Sequence, residues 1–118
     1  MQGNKQTIFI HIPGTLAANI VPKWKAEQDA TLLHVSAVAS NDSSATLKIG
    51  TSADDDAFLA EAAIGDSGTP VEKRRADFVG GELPRIARGE LVVLTLDFDG
   101  ASGTAAQNVT LALTFAEG

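Results

Sequence analysis

Apolar and polar residues alternate through much of the C-terminal third of the chain. The segment LVVLTLDF (91–98) has an apolar residue at every second position from Val92 onward, as expected for a strand with one buried face. The segment NVTLALTF (108–115) alternates without interruption from Val109 to Phe115. The Gly-rich connection DGASGTAAQ between them predicts an antiparallel hairpin.

Looser alternation precedes this region. TLLHVSAVAS (31–40) places Leu33, Val35 and Ala37 on one face of a strand, and the turn signal NDSS leads to a second alternating run at 45–49. We therefore expect a second hairpin. TIFIHI (7–12) has isoleucine at alternate positions and ends at Pro13-Gly14, which indicates an edge strand or an arm.

Residues 52–65, SADDDAFLAEAAIG, fit two structures. Three aspartates before an apolar run are typical of a helix N-terminus, whereas Phe58, Ala60, Ala62 and Ile64 would share one face of a strand. We expect one short helix or an irregular excursion near residues 54–63.

Short strands separated by frequent turns predict an all-β protein. The fold class that we expect is an antiparallel β-sandwich, jelly-roll or immunoglobulin-like, with a barrel as the alternative. Residues 1–12 would form an N-terminal arm or edge strand, and residues 13–118 a single sandwich domain.

Composition narrows the function classes. The 118 residues carry a net charge of -6, which disfavours nucleic acid as a partner, and they contain no cysteine for disulfides or thiolate metal sites. No apolar run reaches the roughly 18 residues of a membrane span, so we expect no membrane association.

Candidate chemistry is sparse. Gly65-Asp66-Ser67-Gly68 copies part of a serine-protease motif, but neither His11 nor His34 lies in a matching histidine motif, and turn-forming residues explain the segment as well. We expect no enzymatic activity and no cofactor, and a structural calcium ion is the alternative to the latter. Acidic clusters in loops are more often simply solvated. The weak candidate ligands for a calcium ion are Asp54, Asp56, Asp97 and Asp99.

Four residues are candidates for contacts with a partner. Trp24, flanked by two lysines, could cap the core, stack on a sugar or anchor an interface. Phe9 lies on the predicted arm. Arg74 and Arg75 belong to the one basic cluster, and we favour for it a role in protecting a strand edge from unwanted pairing over a role in binding a partner.

The order of segments resembles small β-sandwich structural proteins of tailed bacteriophages, of the capsid decoration or head-fibre type. The segments that carry the resemblance are IPGTL, IVPKW, TLLHVSAVAS, ATLKIG, FLAEAAIGDSGTP, GELVVLTLDFDG and NVTLALTF. It implies a virion protein on the capsid exterior that self-associates, often as a trimer, and binds the major capsid protein. A carbohydrate-binding module of a tail or fibre component is the alternative, although sugar sites usually use more exposed aromatic residues than one Trp.

Overall fold

The computed structural model describes residues 5–117. Along the chain, the strands are β1 (Lys5–Thr15), β2 (Lys23–Lys25), β3 (Ala30–Val38), β4 (Thr46–Thr51), β5 (Leu59–Ala63), β6 (Val71–Lys73), β7 (Arg85–Ile86), β8 (Leu91–Asp97) and β9 (Gln107–Glu117). Two single turns of 3₁₀ helix, Arg75–Asp77 and Val79–Gly81, follow β6.

The strands form two sheets. The first has the order β1-β9-β3-β6, with β7 also paired to β3, and the second has the order β2-β8-β4-β5. The named strands pair antiparallel throughout residues 5–117. The prediction of an all-β antiparallel sandwich is therefore confirmed.

The core lies between the inner faces of the sheets. Alternate residues of the central strands β8 and β9 are fully buried there, including Leu94, Leu96, Leu111 and Leu113, each 0% exposed. The inward set predicted for residues 108–115 is thus confirmed, and isoleucines of β1 cover the margin of this core.

Both predicted hairpins are wrong. β8 and β9 lie in different sheets, and so do β3 and β4. The connection between β8 and β9 instead crosses the roughly 10 Å between packed sheets and is held by backbone hydrogen bonds such as Leu16 N–H to the Ala106 carbonyl at 2.9 Å. Alternation specifies that each strand has a buried face, and strands that face each other across a core satisfy it as well as strands paired side by side.

An irregularity in β3 changes which residues of that strand enter the core. The register with β9 shifts between Leu32 and His34, so Leu32 is buried instead of the predicted Leu33, and Val35 and Ala37 then follow in phase. A bulge places two successive residues against one on the neighbouring strand, which reverses the alternation after it.

The short helix expected near residues 54–63 does not form. The aspartates occupy a turn that folds back over Gly50, and β5 follows and pairs with β4. A Cβ at Gly50 would lie 2.1 Å from the Asp54 carbonyl oxygen, so this turn requires glycine beneath it. Tertiary pairing with β4 therefore outweighs the local preference of the acidic segment for a helix start.

Candidate interaction site

β1 is a terminal strand of its sheet. It pairs with β9 from Lys5, opposite Ala116, to Ile12, opposite Val109, and the register shifts before Thr15. This irregularity lies at the predicted Pro13-Gly14 break, although the strand continues beyond it. Within residues 5–117, no strand pairs with the other edge of β1, so that edge offers backbone groups to a partner. Residues 1–4 of the predicted arm lie outside the described residues.

Phe9 stands out on the solvent face of β1. It is 72% exposed and lies opposite the small side chain of Ala112. The neighbouring outward side chains are tied to β9, since Thr7 Oγ1 lies 3.1 Å from Thr114 Oγ1 and His11 Nδ1 lies 2.9 Å from Thr110 Oγ1. Phe9 is therefore the large apolar group on this strand that remains available to a partner.

Trp24 faces the sandwich from β2. Its ring meets Phe115 of β9 edge to face, with ring centroids 6.3 Å apart and an angle of 82° between the planes. The side chain is partly buried and packs against the core, while Lys23 and Lys25 point to solvent. Trp24 thus joins the two sheets at their margin, as the core-capping interpretation predicts.

Beside Trp24 lies an open cavity of about 270 Å³, lined from both terminal strands, β1 and β2. Its walls are mainly apolar and are formed by Ile8, Trp24, Ala26, Ala30, Ile86, Val92, Phe115 and Ala116. Polar side chains surround them, namely Gln6, Lys25, Glu27, Gln28 and Glu117. Concave apolar sites with a few polar groups are the usual form of a binding pocket.

The basic cluster is partly engaged within its own sheet. Glu72 Oε1 accepts hydrogen bonds from Arg74 Nη2 at 3.0 Å and pairs with His34 Nε2 at 2.9 Å. The Arg74 backbone N–H also donates to Asp77. Arg74 and Arg75 remain exposed, so the chain presents two guanidinium groups near β6 next to a carboxylate that offsets part of their charge.

The calcium candidates fall in two separate places. Asp54, Asp55 and Asp56 are exposed, and they can bring carboxylate oxygens within 4.8 Å of one another. Asp54 raises the pKa of Asp56 above its ordinary value in two ways. The two carboxyl groups share a hydrogen bond, and the negative charge of Asp54 repels that of Asp56. Asp55 instead forms an ion pair with Lys48 at 3.2 Å, which raises the pKa of that lysine.

Asp97 and Asp99 lie near the opposite end of β4 from this cluster. Asp97 pairs with Thr46 at the start of β4, whereas Asp54 hydrogen-bonds to Thr51 at its end. Asp97 accepts the Asp99 backbone N–H at 3.0 Å, and Asp99 accepts Ser102 Oγ at 2.6 Å. These two carboxylates organise the loop between β8 and β9 and do not join Asp54 and Asp56.

The protease-like segment is a tight turn. Ser67 Oγ donates to Asp42 at 2.8 Å, and Asp66 accepts the Ser43 backbone N–H at 3.1 Å. A Cβ at Gly65 would lie 2.1 Å from the Thr69 carbonyl oxygen, so the turn closes tightly on a glycine. Ser67, Asp42 and Asp66 therefore stabilise the loop through these hydrogen bonds, as the turn interpretation predicts.

Sequence reasoning singled out Phe9 and Trp24 but missed the cavity. Its walls come from six strands that are distant along the chain, including Ile86 of the two-residue strand β7. Only the arrangement of the sheets brings these residues together. The local signal was limited to the two lysines that flank Trp24 and to the alternation of β9 that turns Phe115 inward.

Comparisons with known proteins add one point about the fold. No protein-family profile matches the chain, and no curated protein does. Among solved structures, it is similar to a chain of the cyanophage Pam1 capsid asymmetric unit, with a TM-score of 0.57 and 15% identity over 99% of this chain and 87% of that chain. The two chains therefore share a fold over nearly their whole lengths. Within residues 5–117, no helix is long and apolar enough to cross a membrane.

Proposed function

We propose that this protein is a non-enzymatic structural component of a tailed-phage virion. More specifically, it is a capsid decoration protein that self-associates, with a trimer favoured, and binds the major capsid protein on the outer surface of the head. The observation that carries the proposal is the fold shared, over 99% of the chain, with a chain of a cyanophage capsid asymmetric unit. Fold alone does not define function, so the surface features must support it separately.

The surface supports an interaction role. A terminal strand with a free edge carries an exposed Phe, and a mainly apolar cavity opens beside it. Large exposed aromatic residues and apolar pockets are the usual anchors of protein interfaces. Asp66 and Ser67, which suggested hydrolytic chemistry, form hydrogen bonds within turns.

The test uses particles of the virus whose genome encodes the chain. Purified heads should contain the protein, and cryo-electron microscopy should place its density outside the capsid shell, in contact with the major capsid protein. Heads made without the gene should lack this density and regain it when the purified full-length protein is added. Absence of the protein from heads, or density only inside the shell or on the tail, would overturn the proposal.

A second candidate, a carbohydrate-binding module, rests on the setting of Trp24. Its ring lines an open cavity that also carries two glutamines and two glutamates, and an aromatic face with polar neighbours is suited to stacking on a sugar. Because Trp24 is the only tryptophan, its fluorescence reports on the cavity directly. A saturable change on titration with glycans would favour this candidate, whereas a flat response across a broad glycan panel would remove its support.

A further inference from the structure

An exposed phenylalanine and an open apolar cavity lie on opposite faces of the same strand. Side chains alternate along a strand, so Ile8 lines the cavity while Phe9, the next residue, points to solvent. Single exposed apolar residues are normal on protein surfaces. Phe9 differs because the same chain also presents a cavity that a ring of this kind could fill.

The cavity is large enough for that ring. An apolar cavity of about 150 Å³ accommodates benzene, and this one measures about 270 Å³ and opens to solvent. Aromatic rings also favour the edge-to-face contacts that Trp24 and Phe115 already make there. A phenyl group entering the cavity would therefore meet two aromatic rings and the aliphatic side chains of Ile8 and Val92.

We propose that Phe9 of one copy occupies the cavity beside Trp24 of a second copy of this chain. The inference rests on the proposed function in that it names the contact by which the protein self-associates. Because the ring and the cavity lie on opposite faces of β1, one copy cannot offer both to the same partner through a single two-fold patch. The contact is heterologous, and such contacts close into rings when the rotation between copies permits.

A stable contact needs more buried surface than one phenyl ring supplies. A typical interface buries about 800 Å² on each partner, which is a modest part of the 6341 Å² accessible surface of this chain. β1 has 11 residues, so its free edge extends for about 35 Å and can add backbone contacts. Phe9 would then be the anchor of a larger contact that includes the polar residues around the cavity.

The first experiment measures the molar mass of the full-length protein by light scattering over a range of concentrations. The wild-type protein should form a closed oligomer, and Phe9→Ala should shift it to monomer. Val79→Ala removes another exposed apolar side chain, 51% exposed, and should leave the oligomer intact. Circular dichroism and thermal unfolding of each variant establish that it is folded.

A mixing experiment tests the head-to-tail geometry. Ala26→Phe fills the cavity but keeps Phe9, whereas Phe9→Ala keeps the cavity, so each variant alone should be monomeric. Mixed in equal amounts, they should form a one-to-one heterodimer, because one intact ring and one intact cavity remain to meet. The emission of Trp24 should change on mixing Ala26→Phe with Phe9→Ala and should not change with either variant alone.

Each contrary result has a definite meaning. A monomeric wild type, an oligomer unaffected by Phe9→Ala, or the absence of a heterodimer from two folded variants would overturn this contact. The proposed function is tested separately on virus particles. A wild-type protein that binds heads yet remains monomeric would refute the Phe9 contact and leave the decoration proposal standing. An oligomer that depends on Phe9 but is absent from heads would refute the decoration proposal and leave the Phe9 contact standing.

Discussion

A disulfide between β1 and β9 would test whether the N-terminal strand belongs to the folded body or is released as an arm. Thr7 and Thr114 lie directly opposite each other, with their hydroxyl oxygens 3.1 Å apart. Directly opposed residues in an antiparallel pair have Cβ atoms about 4.5–5.5 Å apart, near the separation a disulfide spans. Since the chain contains no cysteine, Thr7→Cys/Thr114→Cys introduces a single defined pair.

The size of the expected effect follows from the length of the loop that the bond closes. Residues 7 and 114 are 107 positions apart, and the loss of loop entropy in the unfolded chain corresponds to about 4.8 kcal/mol in the simplest treatment. Engineered disulfides deliver less than this, so we expect a gain of about 3 kcal/mol in the free energy of unfolding. For a chain of 118 residues, that corresponds to a rise in Tm of about 12 °C.

The assay compares oxidised and reduced forms of the double variant by thiol titration and calorimetry. Thr7→Cys/Thr110→Cys is the control, because Thr110 lies opposite His11, four residues along β1, and is out of reach of residue 7. Free thiols after oxidation, or a Tm equal to that of the reduced form, would refute the β1–β9 pairing. Particle binding adds a second readout: if capsid binding requires β1 to leave the sheet, oxidation should abolish it and reduction should restore it.

Two further predictions concern the acidic turn and the core. Asp56→Asn should raise Tm at pH 7, because the raised pKa of Asp56 means that its charged form is disfavoured in the folded protein. The gain in Tm should vanish below the ordinary pKa of 3.8, where Asp56 is protonated in both the folded and the unfolded state. Asp55→Asn removes the ion pair with Lys48 and should not give the same gain, so an equal gain from both variants would contradict this account. Leu111→Ala, at a residue that is 0% exposed, should lower the free energy of unfolding by about 2–5 kcal/mol in denaturant titrations. Thr110→Ala, on the opposite face of β9, should cost about 1 kcal/mol, and similar losses from both would contradict the assigned inner face.

The sequence was most informative where strands alternate strictly. The inward set from Val109 to Phe115 is correct because β9 is paired on both edges and these residues are buried between the sheets. Leu33 of β3 was wrongly predicted to face the core, because the bulge between Leu32 and His34 has no recognisable sequence signal and depends on the pairing with β9. The acidic segment before β5 was left open between a short helix, an irregular excursion and a strand for a similar reason, since its pairing partner β4 is not apparent from local sequence.

The local sequence pattern could not predict which strands belong to the same sheet. A loop of Gly and small residues can turn tightly within one sheet or cross to the other, and the alternation of β8 and β9 is satisfied either way. The same limit applies to the cavity, whose walls meet only once β1 and β2 are placed at the margins of their sheets. Phe9 and Trp24 were identifiable as unusual residues, but their relation to each other required the fold.

The two faces of β1 have different roles, so a deletion of the N-terminal segment and a substitution on its solvent face test different things. Ile8, Ile10 and Ile12 pack against the core, so deletion of residues 1–12 removes apolar burial worth about 1 kcal/mol or more for each half-buried isoleucine and exposes the edge of β9. A loss of particle binding after deletion would therefore report on folding as much as on binding. Phe9→Ala changes only the solvent face of the same strand, and it is the variant that separates the contribution of β1 to the sandwich from its contribution to a partner.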